Sequence, residues 1–203
     1  MKSMTIPELY EYLCSPQFQD ENSGNIFYNY YIYQYPANKE YQMRRQIQEF
    51  KENLERPTNF VDALELDLFK VFCDYLKDEK FGDMYLLDAT FEEDKKHPEM
   101  VTKELTAEAN SDNFISYVSQ KIDEHINSNN GYKHPYIFIH GIGKMFPYLR
   151  TNVFLTRYEK YNDTSRYKII LFYPGHQEGN SFSLFDTLED SHTYRATLLI
   201  NKS

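Results

Sequence analysis

Apolar residues recur along this chain with two different periods, and the switching between them predicts an α/β fold. Ile26 to Tyr33 is dense in Tyr, Ile and Phe and halts at Tyr35-Pro36, where proline removes a backbone donor. That stretch is the expected first strand. From Lys39 to Glu55 the period changes: Met43, Ile47, Phe50 and Leu54 fall on one helical face, with Arg44, Arg45, Glu49 and Glu52 elsewhere. Phe60 to Leu66 reads as a second strand, closed by Asp67 as the N-cap of a helix that carries Leu68, Phe69, Phe72, Tyr75 and Leu76. Ahead of all this, Thr5-Ile6-Pro7-Glu8 has capping-box spacing, and Leu9, Tyr10 and Leu13 supply the apolar stripe of a short N-terminal helix.

Residues 81–130 show no convincing strand; Ile115, Val118, Ile122 and Ile126 lie at helical spacing, so a helical insertion around 80–130 with a long helix near 111–128 is expected. Asn127 to Gly131 breaks that pattern. Tyr136-Ile137-Phe138-Ile139 is then continuously apolar, as in a strand covered on both faces. Ile169 to Tyr173 repeats it after a helix expected near 146–160, and Arg195 to Ile200 supplies a last strand. The prediction is a mostly parallel sheet flanked by helices in one domain over 1–203, with no internal repeat or linker dividing it.

Charge narrows the function classes. Residues 1–130 carry 13 Lys and Arg against 25 Asp and Glu, a net of −12; residues 131–203 carry 9 against 6, a net of +3. An acidic surface opposes the counterion release that drives duplex DNA binding, so strong autonomous DNA binding is not expected. The N-terminus lacks the apolar stretch of a signal peptide and no window reaches the ~20 apolar residues of a spanning helix, which predicts a cytoplasmic protein without a membrane anchor. Cys14 and Cys73 sit among apolar neighbours without ligand spacing and read as two buried thiols.

Three blocks carry a more specific signal. The first is Leu171-Phe172-Tyr173-Pro174-Gly175, then Gly179-Asn180-Ser181-Phe182-Ser183-Leu184-Phe185, then Tyr194-Arg195-Ala196. The second is Gly141-Ile142-Gly143-Lys144-Met145-Phe146-Pro147-Tyr148-Leu149-Arg150. The third, looser, is Ile32-Tyr33-Gln34-Tyr35-Pro36 followed by Glu40 and Arg44. Together they resemble, in order and over nearly the whole length, the BrxB family of the bacterial BREX phage-defence systems; Gln34, Asp186 and Thr193 depart from the family pattern. The resemblance implies a non-enzymatic adaptor that docks on PglZ, an alkaline-phosphatase-like protein, with the BREX methyltransferase as a further partner. It marks Gly141, Gly143, Pro147, Arg150, Pro174, Gly175, Gly179, Ser183, Leu184, Phe185, Tyr194 and Arg195 as interaction or motif residues.

Catalytic alternatives find little in the residues themselves. The fold evokes a degenerate P-loop NTPase, yet no Walker motif is present: Gln34 to Lys39 contains no glycine, and Gly141-Ile142-Gly143-Lys144 lacks the upstream glycine and the hydroxyl after Lys. No cofactor is expected. His134 with His140, and His176 with His192, are the pairs worth weighing, and no carboxylate lies at a sequence spacing that would complete a metal site. Ser183 lacks the Gly-x-Ser-x-Gly elbow, and Pro174-Gly175 with Gly179 reads as a rigid loop anchored by Leu184 and Phe185. A nucleotide- or nucleic-acid-processing component whose site a partner completes is the alternative reading. Tyrosine is abundant, 19 residues with Tyr28, Tyr30, Tyr31, Tyr33, Tyr35 and Tyr41 in one cluster; whether that cluster is core or interface stays open.

Overall fold

The computed structural model describes residues 4–19, 30–128, 135–163, 165–178, 181–190 and 196–198. Five parallel strands form the sheet in the order β2, β5, β6, β1, β9, with β1 spanning Tyr30–Tyr35, β2 Ala63–Asp67, β5 Tyr136–His140, β6 Lys168–Glu178 and β9 Ala196–Leu198. Because successive side chains of a strand point to opposite faces, β5 and β6 feed two cores at once. Tyr136, Phe138, Ile170 and Phe172 face one, and Ile137, Ile139, Ile169, Leu171 and Tyr173 face the other.

The first core is closed by α1 (Ile6–Cys14), the short α2 (Pro16–Gln19) and α3 (Glu40–Leu54). α3 buries Met43, Ile47, Phe50 and Leu54, the four positions its periodicity singled out. Glu8 accepts hydrogen bonds from both the Thr5 backbone N–H and its hydroxyl, each at 2.6 Å, which fixes the start of α1. The second core lies under α4 (Leu68–Asp78), α7 (Asp112–Ser128) and α8 (Thr151–Tyr158). Between α4 and α7 come α5 (Leu86–Asp94) and α6 (Pro98–Ala109), the expected helical insertion.

Several expectations shift. The insertion also holds a two-stranded hairpin, β3 (Lys80–Phe81) and β4 (Met84–Tyr85), which turns at Gly82 and is too short to show an alternating pattern. The helix expected near 146–160 begins only at Thr151, because Phe146 precedes Pro147 and is held extended, and a 3₁₀ turn over Ile142–Met145 occupies the space before it. β2 starts at Ala63, since Phe60 takes a left-handed backbone (φ 51°). Pro174 and Gly175 are not in a loop: β6 runs on through them and pairs antiparallel with β7 (Ser181–Leu184), which pairs with β8 (Leu188–Asp190). Cys14 and Cys73 are free and half-buried rather than fully buried.

The tyrosine cluster resolves toward core. Tyr30 donates to the Leu155 carbonyl (2.9 Å), Tyr33 to the Met4 carbonyl (2.9 Å) and Tyr35 to the Glu40 carboxylate, so the buried hydroxyls are satisfied as burial demands. Tyr31 is half-buried, Tyr41 is exposed, and Tyr28 lies outside the described residues. No helix among the described residues is long and apolar enough to cross a membrane.

Candidate functional site

Open α/β sheets place ligands and partners beyond the carboxyl ends of their strands, where the chain leaves the sheet as turns. Here β2 ends at Asp67 and β5 at His140, directly opposite each other in register. Alternation puts Glu65 on the face that Asp67 and His140 share. His140 Nε2 lies 2.9 Å from Glu65 Oε1, and that hydrogen bond holds the Glu65 carboxyl below the usual carboxylate range. Burial opposes ionisation of Asp67, but the hydrogen bond from Lys144 and the charge of His140 outweigh it and hold that carboxyl low as well.

Asp67 does two tasks. One oxygen accepts the Lys70 N–H and caps α4; the other takes the Lys144 ammonium across 77 residues of sequence. The turn that delivers Lys144 passes so close that Gly141 is obligatory: its φ is +73°, and a Cβ there would stand 2.4 Å from Asp67 Oδ1. Two residues on, a Cβ at Gly143 would stand 2.5 Å from Phe185 Cζ and 3.1 Å from Pro174 Cγ. Phe185 is therefore laid across the turn. Two of the sequence blocks, some forty residues apart, meet at this contact.

The loop that presents Phe185 is strained. Thr187 N–H bonds to the Leu184 carbonyl (3.2 Å), and both central residues are left-handed, Phe185 at φ 56° and Asp186 at φ 59°. That backbone suits Gly or Asn, and a bulky aromatic there costs about 1–3 kcal/mol. Phe185 N–H donates to the Pro174 carbonyl (2.9 Å), and the ring is 38% exposed. His176 Nδ1 pairs with Asp186 Oδ1 at 2.6 Å on the adjoining surface. Beneath it, a Cβ at Gly175 would lie 2.0 Å from the Ser183 carbonyl oxygen, so only glycine permits β6 and β7 to pair.

Of the sequence-marked residues, Gly141, Gly143, Pro174, Gly175, Ser183, Leu184 and Phe185 are brought together here, with Leu184 buried and Ser183 half-buried. Pro147 and Arg150 are exposed on the segment leading into α8, where the Arg150 guanidinium lies over the Phe146 ring at 5.7 Å. Gly179, Tyr194 and Arg195 lie outside the described residues, as do His134 and His192. The third block also closes on itself, since Glu40 binds both Tyr35 and Arg44 (3.0 Å). Glu65, Asp67 and Lys144 escaped the sequence reading as a set. The available signal was Glu65 itself, a charge inside the apolar run Ala63-Leu64-Glu65-Leu66.

Chemically the edge is paired within itself. Both carboxylates hold a basic side chain of this chain, and among the described residues no group of three or more His, Cys, Asp or Glu is placed to hold a metal ion. What faces outward is the part-exposed Phe185 at the turn between β7 and β8.

The family model for BREX protein BrxB matches residues 64–199. A protein of Bacillus cereus (strain H3081.97) called BREX protein BrxB is 25% identical over 195 residues, covering 91% of this chain and 89% of its own length. Another of that name, from Escherichia coli O9:H4 (strain HS), is 21% identical over 182 residues, covering 90% of this chain and 82% of its own. No solved structure matches this chain.

Proposed function

The chain belongs to the BrxB family of BREX proteins, and from that premise we propose that it is a non-enzymatic adaptor in a phage-defence assembly, docking on the alkaline-phosphatase-like PglZ and presenting a second face to the methyltransferase. One observation carries this reading. The residues shared by the family blocks converge on a packing contact, Gly143 against Phe185, and hold an aromatic outward in a backbone it would not choose. Left-handed strain in a bulky residue persists where the surroundings over-determine it, and such sites cluster where proteins bind or switch. A part-exposed aromatic is also of the residue class in which protein interfaces are enriched.

The internal pairing of Glu65 with His140 and of Asp67 with Lys144 supports the same reading, because groups neutralised at home are stabilising the edge rather than waiting for a substrate. The loop after β1, where a phosphate cradle would form, is Pro36 and a 3₁₀ turn over Ala37–Lys39 without a glycine. Co-expression of the tagged chain with PglZ and with the methyltransferase tests the proposal: capture of PglZ that ATP and Mg²⁺ leave unchanged supports it, and failure to capture either protein rejects it.

A second reading rests on one group. His140 is 3% exposed, and its Nδ1 has no hydrogen-bond partner among the described residues although it sits at the carboxyl end of the sheet, where ligands bind. A nucleotide-handling component completed by a partner would use that nitrogen. Thermal shift with ATP and Mg²⁺ separates the two readings. A ligand at about 100 times its dissociation constant adds ~2.7 kcal/mol, roughly 5–11 °C for a domain of this size.

A further inference from the structure

The helical insertion has no part in the sheet-edge site, yet it carries most of the exposed large hydrophobic residues among the described residues. Phe81 is 75% exposed, Phe91 57%, Met100 45%, and Met84 and Tyr85 43% each. Of the eight large hydrophobic residues exposed among the described residues, five thus fall within twenty positions, which marks a patch rather than scatter. Phe81 of this group lines a groove of about 300 Å³ formed by residues of α4, the β3–β4 hairpin, α5 and α6. Its apolar lining is Leu76, Phe81, Leu86, Ala89 and Leu105.

Charge decides what fits there. The charged groups lining the groove are all carboxylates: Glu93, Glu104 and Glu108. Glu108 is held in place by the Tyr75 hydroxyl at 2.9 Å, while Glu93 and Glu104 are within ion-pair distance of no cation among the described residues. Residues 80–110 as a whole carry four lysines against eight carboxylates, a net of −4. A nucleic acid backbone or an anionic membrane would be repelled, whereas a cationic segment would be drawn in. The volume sits at the low end of the range for ligand pockets, room for one or two large apolar side chains.

We propose that this groove docks a protein segment of a partner in which one or two large apolar side chains are flanked by Lys or Arg. It deepens the adaptor reading and rests on it, supplying an acidic, apolar-lined face built from elements other than the Phe185 hairpin. Apolar anchors would enter between Leu76 and Leu105, and their basic flanks would meet Glu93 and Glu104. This is the helix-in-groove mode of recognition, with charge selecting among amphipathic partners.

The test is site-specific photo-crosslinking in cells that express the whole defence system. p-Benzoylphenylalanine is placed at position 81 in one strain and at position 185 in another, and the cross-linked peptides are sequenced. The proposal expects the position 81 product to be a peptide of another protein with a large apolar residue flanked by Lys or Arg. It also expects Glu93→Lys with Glu104→Lys to reduce that product at least tenfold without changing the melting temperature. A product from a second copy of this chain, a peptide lacking basic flanks, or a yield indifferent to charge reversal would overturn it. A position 185 product without one from position 81 defeats this inference and leaves the adaptor reading standing; no product from either defeats both.

Discussion

Replacing Phe185 with asparagine separates what the hairpin does for stability from what it does for binding. The ring is 38% exposed, so about 60% of a Phe burial worth at most ~3 kcal/mol is at stake, roughly 1–2 kcal/mol. Against that, Asn tolerates φ near +56° far better than Phe, and relief of the left-handed strain returns about 1–2 kcal/mol. The two nearly cancel. Net stability should change by less than ~1 kcal/mol, which shifts the melting temperature by no more than about 2–4 °C. If Phe185 anchors a partner, its loss should weaken the complex by ≥ ~2 kcal/mol, about thirtyfold in dissociation constant. Differential scanning fluorimetry of the purified variant, beside titration against PglZ, reads both quantities. Unchanged affinity would refute the docking role of the ring, and a fall in melting temperature beyond about 10 °C would show that it is a core residue.

Gly175→Ala puts a Cβ 2.0 Å from a backbone oxygen that cannot step aside without breaking the β6–β7 pairing, so overpacking and strain together should cost ~3 kcal/mol or more and lower the melting temperature by about 6–12 °C; a shift under 2 °C would contradict the pairing. Gly143→Ala meets side-chain atoms of Phe185 and Pro174 rather than backbone, and the expected loss is about 1 kcal/mol by chemical denaturation, clearly smaller than at Gly175. Glu65 and Asp67 are both held below their ordinary pKa, so the stability they contribute is complete above the usual carboxylate range and disappears as pH falls through their lowered values. Denaturation midpoints from pH 7 downward should drop below about pH 4, and Glu65→Gln with Asp67→Asn should flatten that slope; an unchanged slope would remove these pairs from the account.

How much of this could be seen in the sequence follows from the range of the forces involved. α3 and α7 were legible because a helical face is a local pattern, and β5 because Tyr136 to Ile139 is apolar on both faces. The cap at Asp67 was legible for the same reason, being three residues from its donor. The partners of the tyrosine hydroxyls were not: Tyr30 reaches Leu155, 125 positions away, and only the fold could tell core from interface. The edge cluster was hidden likewise, since Glu65 and His140 are 75 positions apart and Asp67 and Lys144 are 77. Pro174-Gly175 misled because its composition is that of a turn. Gly175 is instead required by a close approach between two paired strands.

An adaptor role for this chain is tested most directly by its affinity for purified PglZ with and without ATP and Mg²⁺. It predicts a dissociation constant of about 1 μM or tighter, equal in both conditions to within a factor of two. No detectable complex at 100 μM, or turnover of nucleotide by the isolated chain that vanishes on changing His140 alone, would contradict it.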